Sequence, residues 1–138
     1  MRYLLDTNAL LETARPSPSP HLMARLERHR AVVCTAAVVW HELVYGVQRL
    51  PLGRRKDQLR GWMAALQAAD LPILAYDHVA ARLAAERRAQ WEEAGRTLPS
   101  RDAQIAAIAM ANDLVLVTHN TADFAGLDEL QVEDWLMP

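Results

Sequence analysis

The run Leu114-Val115-Leu116-Val117-Thr118 constrains the fold more than any other segment. It is five residues long, apolar and rich in β-branched side chains, which suits a strand buried on both faces. Other short strand-like runs occur at Arg2 to Asp6, Ala31 to Cys34, Pro72 to Ala75 and Leu130 to Val132. Between them lie segments with helical signals. His21 to Arg30 is a polar helix carrying Leu22 and Leu26 on one face, after the stiff Arg15–Pro20 loop with its three prolines. Thr35 is placed to cap a helix running to about Gln48, and Pro51 and Gly53 then break the chain. Arg54 to Ala69 presents a stripe of Leu59, Trp62, Met63 and Leu66. Asp77 caps a long helix ending near Gly95, Pro99-Ser100 opens another to about Asn112, and a helical turn covers Ala122 to Ala125. Strands alternating with helices predict an α/β fold with right-handed βαβ units and a mostly parallel sheet covered on both faces.

At 138 residues the chain is expected to form one domain over residues 1–138. Cys34, the single cysteine, has no partner for an internal disulfide, and no cysteine and histidine grouping has zinc spacing. Its apolar neighbours predict a core thiol. Neither a signal peptide nor a membrane span is expected, which predicts a cytoplasmic protein. The net charge of −2 argues against a generally basic nucleic-acid binder. Two basic stretches, Arg49 to Arg60 and Arg82 to Arg101, suit phosphate contact, or are solvated helix faces.

Function is read from four carboxylates: Asp6, Glu42, Asp102 and Asp123. Each adjoins a segment predicted to be buried, where a carboxylate is costly unless it is hydrogen-bonded, paired or ligating a cation. Singly, each has a structural explanation: Asp6 and Asp123 as caps, Asp102 at the positive end of a helix dipole, Glu42 paired with His41. Together they suggest one pocket. Ligand sites in open α/β sheets form beyond the carboxyl ends of the strands. Asp6 ends the first strand, Asp123 closely follows the fourth, and Asp102 starts a helix whose stripe of Ile105, Ala106 and Ala109 points inward. Glu42, about two turns into its helix, could lean over the same edge.

Converging acids without sulfur or imidazole donors select Mg²⁺ or Mn²⁺. Such a site suits metal-dependent phosphodiester hydrolysis, with Asp6, Asp102 and Asp123 as ligands and Glu42 either ligating or orienting water. Thr7, Asn8, Thr118 and Asn120 flank the acids as supports or phosphate contacts, unless they only form turns and caps. His41 and His119 are not required as bases.

Four stretches together resemble the PIN-domain ribonucleases, and among them the VapC toxins of bacterial toxin–antitoxin pairs. They are Leu4-Leu5-Asp6-Thr7-Asn8, His41-Glu42-Leu43-Val44-Tyr45-Gly46, Arg101-Asp102-Ala103-Gln104-Ile105-Ala106-Ala107 and Val117-Thr118-His119-Asn120-Thr121-Ala122-Asp123-Phe124. Their order and spacing are the family's. The resemblance implies a parallel five-stranded sheet flanked by helices on both faces, and a Mg²⁺- or Mn²⁺-dependent endoribonuclease. It makes Asp6, Glu42, Asp102 and Asp123 the acidic quartet, with Asn8, Thr118 and Asn120 in support. It also implies a VapB-type antitoxin partner, a homodimer, and DNA contact only through the antitoxin. The alternative is a non-catalytic PIN-like module that binds RNA or protein, which loss of one or two acids would favour. A receiver domain or an aspartate-nucleophile phosphatase fits less well, because Lys56 is badly placed and Asp6-Thr7-Asn8 lacks the second aspartate.

Overall fold

In the computed structural model, which describes residues 1–138, five short strands form one parallel sheet. The strands are β1 (Tyr3–Leu5), β2 (Val33–Ala36), β3 (Ile73–Leu74), β4 (Val115–Val117) and β5 (Val132–Glu133), in the order β3-β2-β1-β4-β5. The first strand in sequence is therefore the central one. Leu5 pairs with Val117 on one side, while Leu4 pairs with Cys34 on the other. Every residue of β1 and β4 is buried, although successive side chains point to opposite faces. Both faces of the sheet centre are thus covered, as parallel strands require.

Six α-helices supply the cover: α1 (Thr7–Glu12), α2 (Pro20–His29), α3 (Ala37–Gln48), α4 (Arg54–Ala68), α5 (His78–Glu93) and α6 (Ser100–Ala111). Local chemistry fixes several of their starts. Ser19 caps α2, with Pro20 in the first turn, and the Asp77 carboxylate accepts the Ala80 N–H at 2.9 Å. The alanine-rich inner face of α6, from Ala103 to Ala109, lets it lie against the sheet. No helix is long and apolar enough to cross a membrane.

Three expectations shift. The segment at residues 30–32 is a 3-10 turn, and β2 runs on to Ala36. Thr35 is accordingly a strand residue and no helix cap: Thr35 pairs with Ile73, and its hydroxyl donates to the Leu5 carbonyl at 2.9 Å. Strand pairing with β3 on one side and the hydroxyl bond to β1 on the other outweigh its capping preference. The last strand lies at Val132–Glu133, because Leu116 and Val117 of β4 pair there. Cys34 is a core thiol as expected, donating to the Tyr3 carbonyl at 3.4 Å, and burial pushes its pKa up to about 11.

The third shift concerns the basic stretches. Arg54 and Arg55 are exposed, but Lys56 is buried. Its ammonium donates to the Gln48 and Leu50 carbonyls at 3.0 and 3.1 Å, satisfying acceptors left open at the end of α3. Lys56→Met should therefore lower unfolding free energy by about 1–3 kcal/mol in urea titrations, since two carbonyls lose their donor. In the second stretch Arg82 and Arg87 pair with Glu86 and Glu129, and Arg96 lies 3.9 Å over the Trp91 ring. Arg101 points into the acidic site.

Candidate active site

The four carboxylates come from four segments that the topology gathers around the carboxyl end of β1. Asp6 directly follows β1 and caps α1, its Oδ1 accepting the Thr7 N–H at 2.7 Å. Asp102 occupies the first turn of α6, and Asp123 lies in a 3-10 turn (Thr121–Phe124) after β4. Glu42 reaches in from α3. All four line one cavity of about 350 Å³, together with Thr7, Asn8, Arg101 and Asn120.

Their settings differ. The Asp6 side chain is only 2 % exposed, Glu42 and Asp102 are partly covered, and Asp123 is exposed. Asp6 is the most firmly held. Its Oδ2 accepts from the buried Thr118 hydroxyl at 2.8 Å. That hydroxyl in turn accepts from the Asn8 amide and the Asn120 backbone N–H, both at 3.1 Å, which uses its full bonding capacity. The Asn8 amide oxygen accepts the His119 backbone N–H at 2.9 Å. Asn8 and Thr118 thereby tie the start of α1 to the end of β4 and fix Asp6 between them. Asn120 contributes through its backbone, with its side chain exposed.

At the centre of this network stands Arg101, which in sequence ends the second basic stretch and opens the family-like run Arg101-Asp102-Ala103. The Arg101 guanidinium donates to Asp6 through Nη2, to Glu42 Oε1 at 2.6 Å, to Asp102 Oδ1 at 3.3 Å and to the Thr7 hydroxyl at 3.1 Å. Burial opposes its charge, but the hydrogen bonds and charges of Asp6 and Glu42 outweigh that and hold its pKa above the ordinary arginine value. The partner of Glu42 is therefore Arg101. His41, the partner considered from sequence, instead lies parallel to the Tyr45 ring at 6.5 Å. The Asp102 carboxyl titrates above the usual range because of burial, with the Asp123 and Asp6 charges adding to the effect and Arg101 opposing it. His119 pairs with Asp134 at 2.9 Å, away from the acids.

The donors facing the cavity are carboxylate, hydroxyl and amide oxygens, with no sulfur or imidazole. That set suits a hard divalent cation. As the side chains stand, no three acidic, histidine or cysteine groups are gathered to hold a metal ion. The positive charge among them is Arg101.

The PIN domain model matches residues 3–130. The chain belongs to the PIN domain family. Similar PIN-family proteins include the tRNA(fMet)-specific endonuclease VapC of Shigella flexneri, 28 % identical over 136 residues, which are 98 % of this chain and 98 % of that protein. The toxin FitB of Neisseria gonorrhoeae is 30 % identical over 138 residues, covering 96 % of this chain and 97 % of that one. Among solved structures, VapBC2 from Rickettsia felis bound to a DNA fragment from its promoter superposes with a TM-score of 0.84 at 26 % identity, covering 98 % of this chain and 99 % of that one. The PIN fold and its five-stranded parallel sheet are those expected from the sequence.

Proposed function

We propose that this protein is an endoribonuclease, the toxin of a VapBC-type toxin–antitoxin pair, and that it cleaves RNA phosphodiester bonds with a divalent cation held by Asp6, Asp102 and Asp123. One observation supports this most: four acids from four distant segments line a single cavity at the sheet edge, where the fold places ligands. Toxins and a tRNA endonuclease among its relatives support the same class. The partner follows from the likeness to VapBC2, which was solved on promoter DNA: a VapB-type antitoxin binds this chain, DNA is contacted through that antitoxin, and the toxin forms a homodimer.

A divalent cation, Mg²⁺ or Mn²⁺, supplies charge neutralisation at the phosphate and activation of water. The chain's own residues do the rest. Thr118, the Thr7 N–H and the capping geometry of α1 hold the Asp6 carboxylate in one orientation at the cavity. Glu42, reaching in from another helix, orients the attacking water or completes the ligand set. Asn8 and Asn120 steady Thr118. Asp123, exposed to solvent, lines the same cavity and adds a third ligand carboxylate.

Thr118→Val keeps the side-chain volume and removes the donor to Asp6, so kcat/KM for RNA should fall about 10–100-fold, the usual effect of losing a partner behind a metal ligand. Unchanged kcat/KM would mean that Thr118 only packs. The primary test is incubation of purified, antitoxin-free protein with total RNA in Mg²⁺ or Mn²⁺ against EDTA. Discrete fragments that disappear in EDTA are expected. No cleavage by folded protein favours the non-catalytic binding module.

A further inference from the structure

The four contacts of Arg101 define a cation site that the protein fills by itself. Its guanidinium touches three of the four acids and the Thr7 hydroxyl, and the fourth acid, Asp123, makes no ion pair. Carboxylates gathered from four segments repel one another unless a positive charge lies between them. Those oxygens cannot serve a guanidinium and a divalent ion at once, because a small cation needs them at about 2.0–2.6 Å around one point. No three of the carboxylates are gathered that way while Arg101 is present. The side chain also has somewhere to go. A second cavity of about 480 Å³ is lined by Ala37, Val38, His41, Ser100 and Gln104, and Glu42 and Arg101 line both cavities.

We infer that Arg101 is a built-in competitor of the metal: it holds Asp6, Glu42 and Asp102 together in the metal-free protein, and loading requires its guanidinium to leave for the second cavity. Arg101 is thus a positioning residue. The inference rests on the metal-dependent reading above and adds to it a chain-encoded brake on metal affinity. Apparent affinity for the ion is reduced by the fraction of molecules in which the carboxylates are free.

A purely structural ion pair predicts the opposite sign. If Arg101 merely organised the pocket, its removal would scatter the acids and weaken metal binding. Under competition, Arg101→Met should bind Mn²⁺ about tenfold or more tightly by calorimetry, and Arg101→Lys should fall between it and wild type. In EDTA the Met variant should melt below wild type, since Asp6 loses its partner, and saturating Mn²⁺ should raise its Tm by more than that of wild type. Wild-type protein gives a second reading that needs no variant. The Arg101 Nε–H, bonded to Glu42, should lose its protected NMR signal as Mg²⁺ saturates the site.

Equal or weaker Mn²⁺ binding by Arg101→Met, or an Arg101 signal unmoved at Mg²⁺ saturation, overturns the competition. RNA cleavage by wild-type protein, scored with and without EDTA, separates the two possible failures. Metal-dependent cleavage accompanied by either of those results rejects the competitor and leaves the nuclease standing. Absence of both metal binding and metal-dependent cleavage rejects the two together.

Discussion

Asp6→Asn and Asp102→Asn proteins should fold and cleave no RNA. Each substitution keeps the side-chain size and removes one carboxylate charge from the proposed metal site. The expected loss is at least about a thousandfold in kcat/KM, equivalent to roughly 4 kcal/mol of barrier. The two differ in their cost to the fold. Asp6 is buried and accepts from Arg101, Thr118 and the Thr7 N–H, so Asn there sets an amide against a donor and lowers stability by about 1.5–3 kcal/mol. Asp102 makes one contact, at 3.3 Å, and its Asn variant should melt close to wild type. Asp102→Asn is therefore the cleaner catalytic test, with circular dichroism confirming the fold. Overexpression should arrest growth with wild type but not with Asp102→Asn. Full cleavage by either variant would sink the quartet.

The second large effect lies in the C-terminal segment, outside the cavity lining. Trp135→Ala should cost about 3–5 kcal/mol and lower the melting temperature by roughly 10–20 °C in calorimetry. Trp135 is 0 % exposed, the largest fully buried side chain in the protein. Its ring meets Tyr3 of β1 edge-on at 4.9 Å and stacks on His29 of α2 at 5.5 Å, while its indole N–H donates to Glu133 at 2.9 Å. Ser19 at the start of α2 donates to the neighbouring Leu136 carbonyl. Loss of Trp135 opens the space where the C-terminal segment clamps the first strand. A shift under about 1 kcal/mol would mean that the segment packs as an appendage.

The acids were legible because buried neighbours make a carboxylate conspicuous, and because strand and helix alternation predicts where strand ends meet. Asp102 was the clearest, since Ile105, Ala106 and Ala109 three, four and seven residues on are all buried. Arg101 was hidden by its context: after Arg82, Arg87, Arg88 and Arg96 it reads as one more solvated arginine. The available signal was electrostatic, since converging acids call for a cation and Arg101 is the one arginine or lysine that adjoins any of them in sequence. Lys56 was hidden by the same habit of reading runs, although its helical phase with the buried Leu59 places it on the inner side. Thr35 misled because its local preference favours a cap while Ile73 and the Leu5 carbonyl, distant in sequence, decide the matter. Trp135 follows an acidic stretch, and no periodicity marks a lone aromatic as core.

The central place of β1 has a consequence for synthesis of the chain. The strand made first waits for one of the last: Leu5 finds Val117 only after most of the polypeptide exists. A nascent chain that already carries Asp6 and Glu42 has neither Thr118 to steady the first acid nor Asp123 to complete the four carboxylates. Fragments ending before β4 lack the means to assemble the site. For a nuclease harmful to its own cell, the strand order delays competence until translation is nearly complete, when a partner made alongside it can bind.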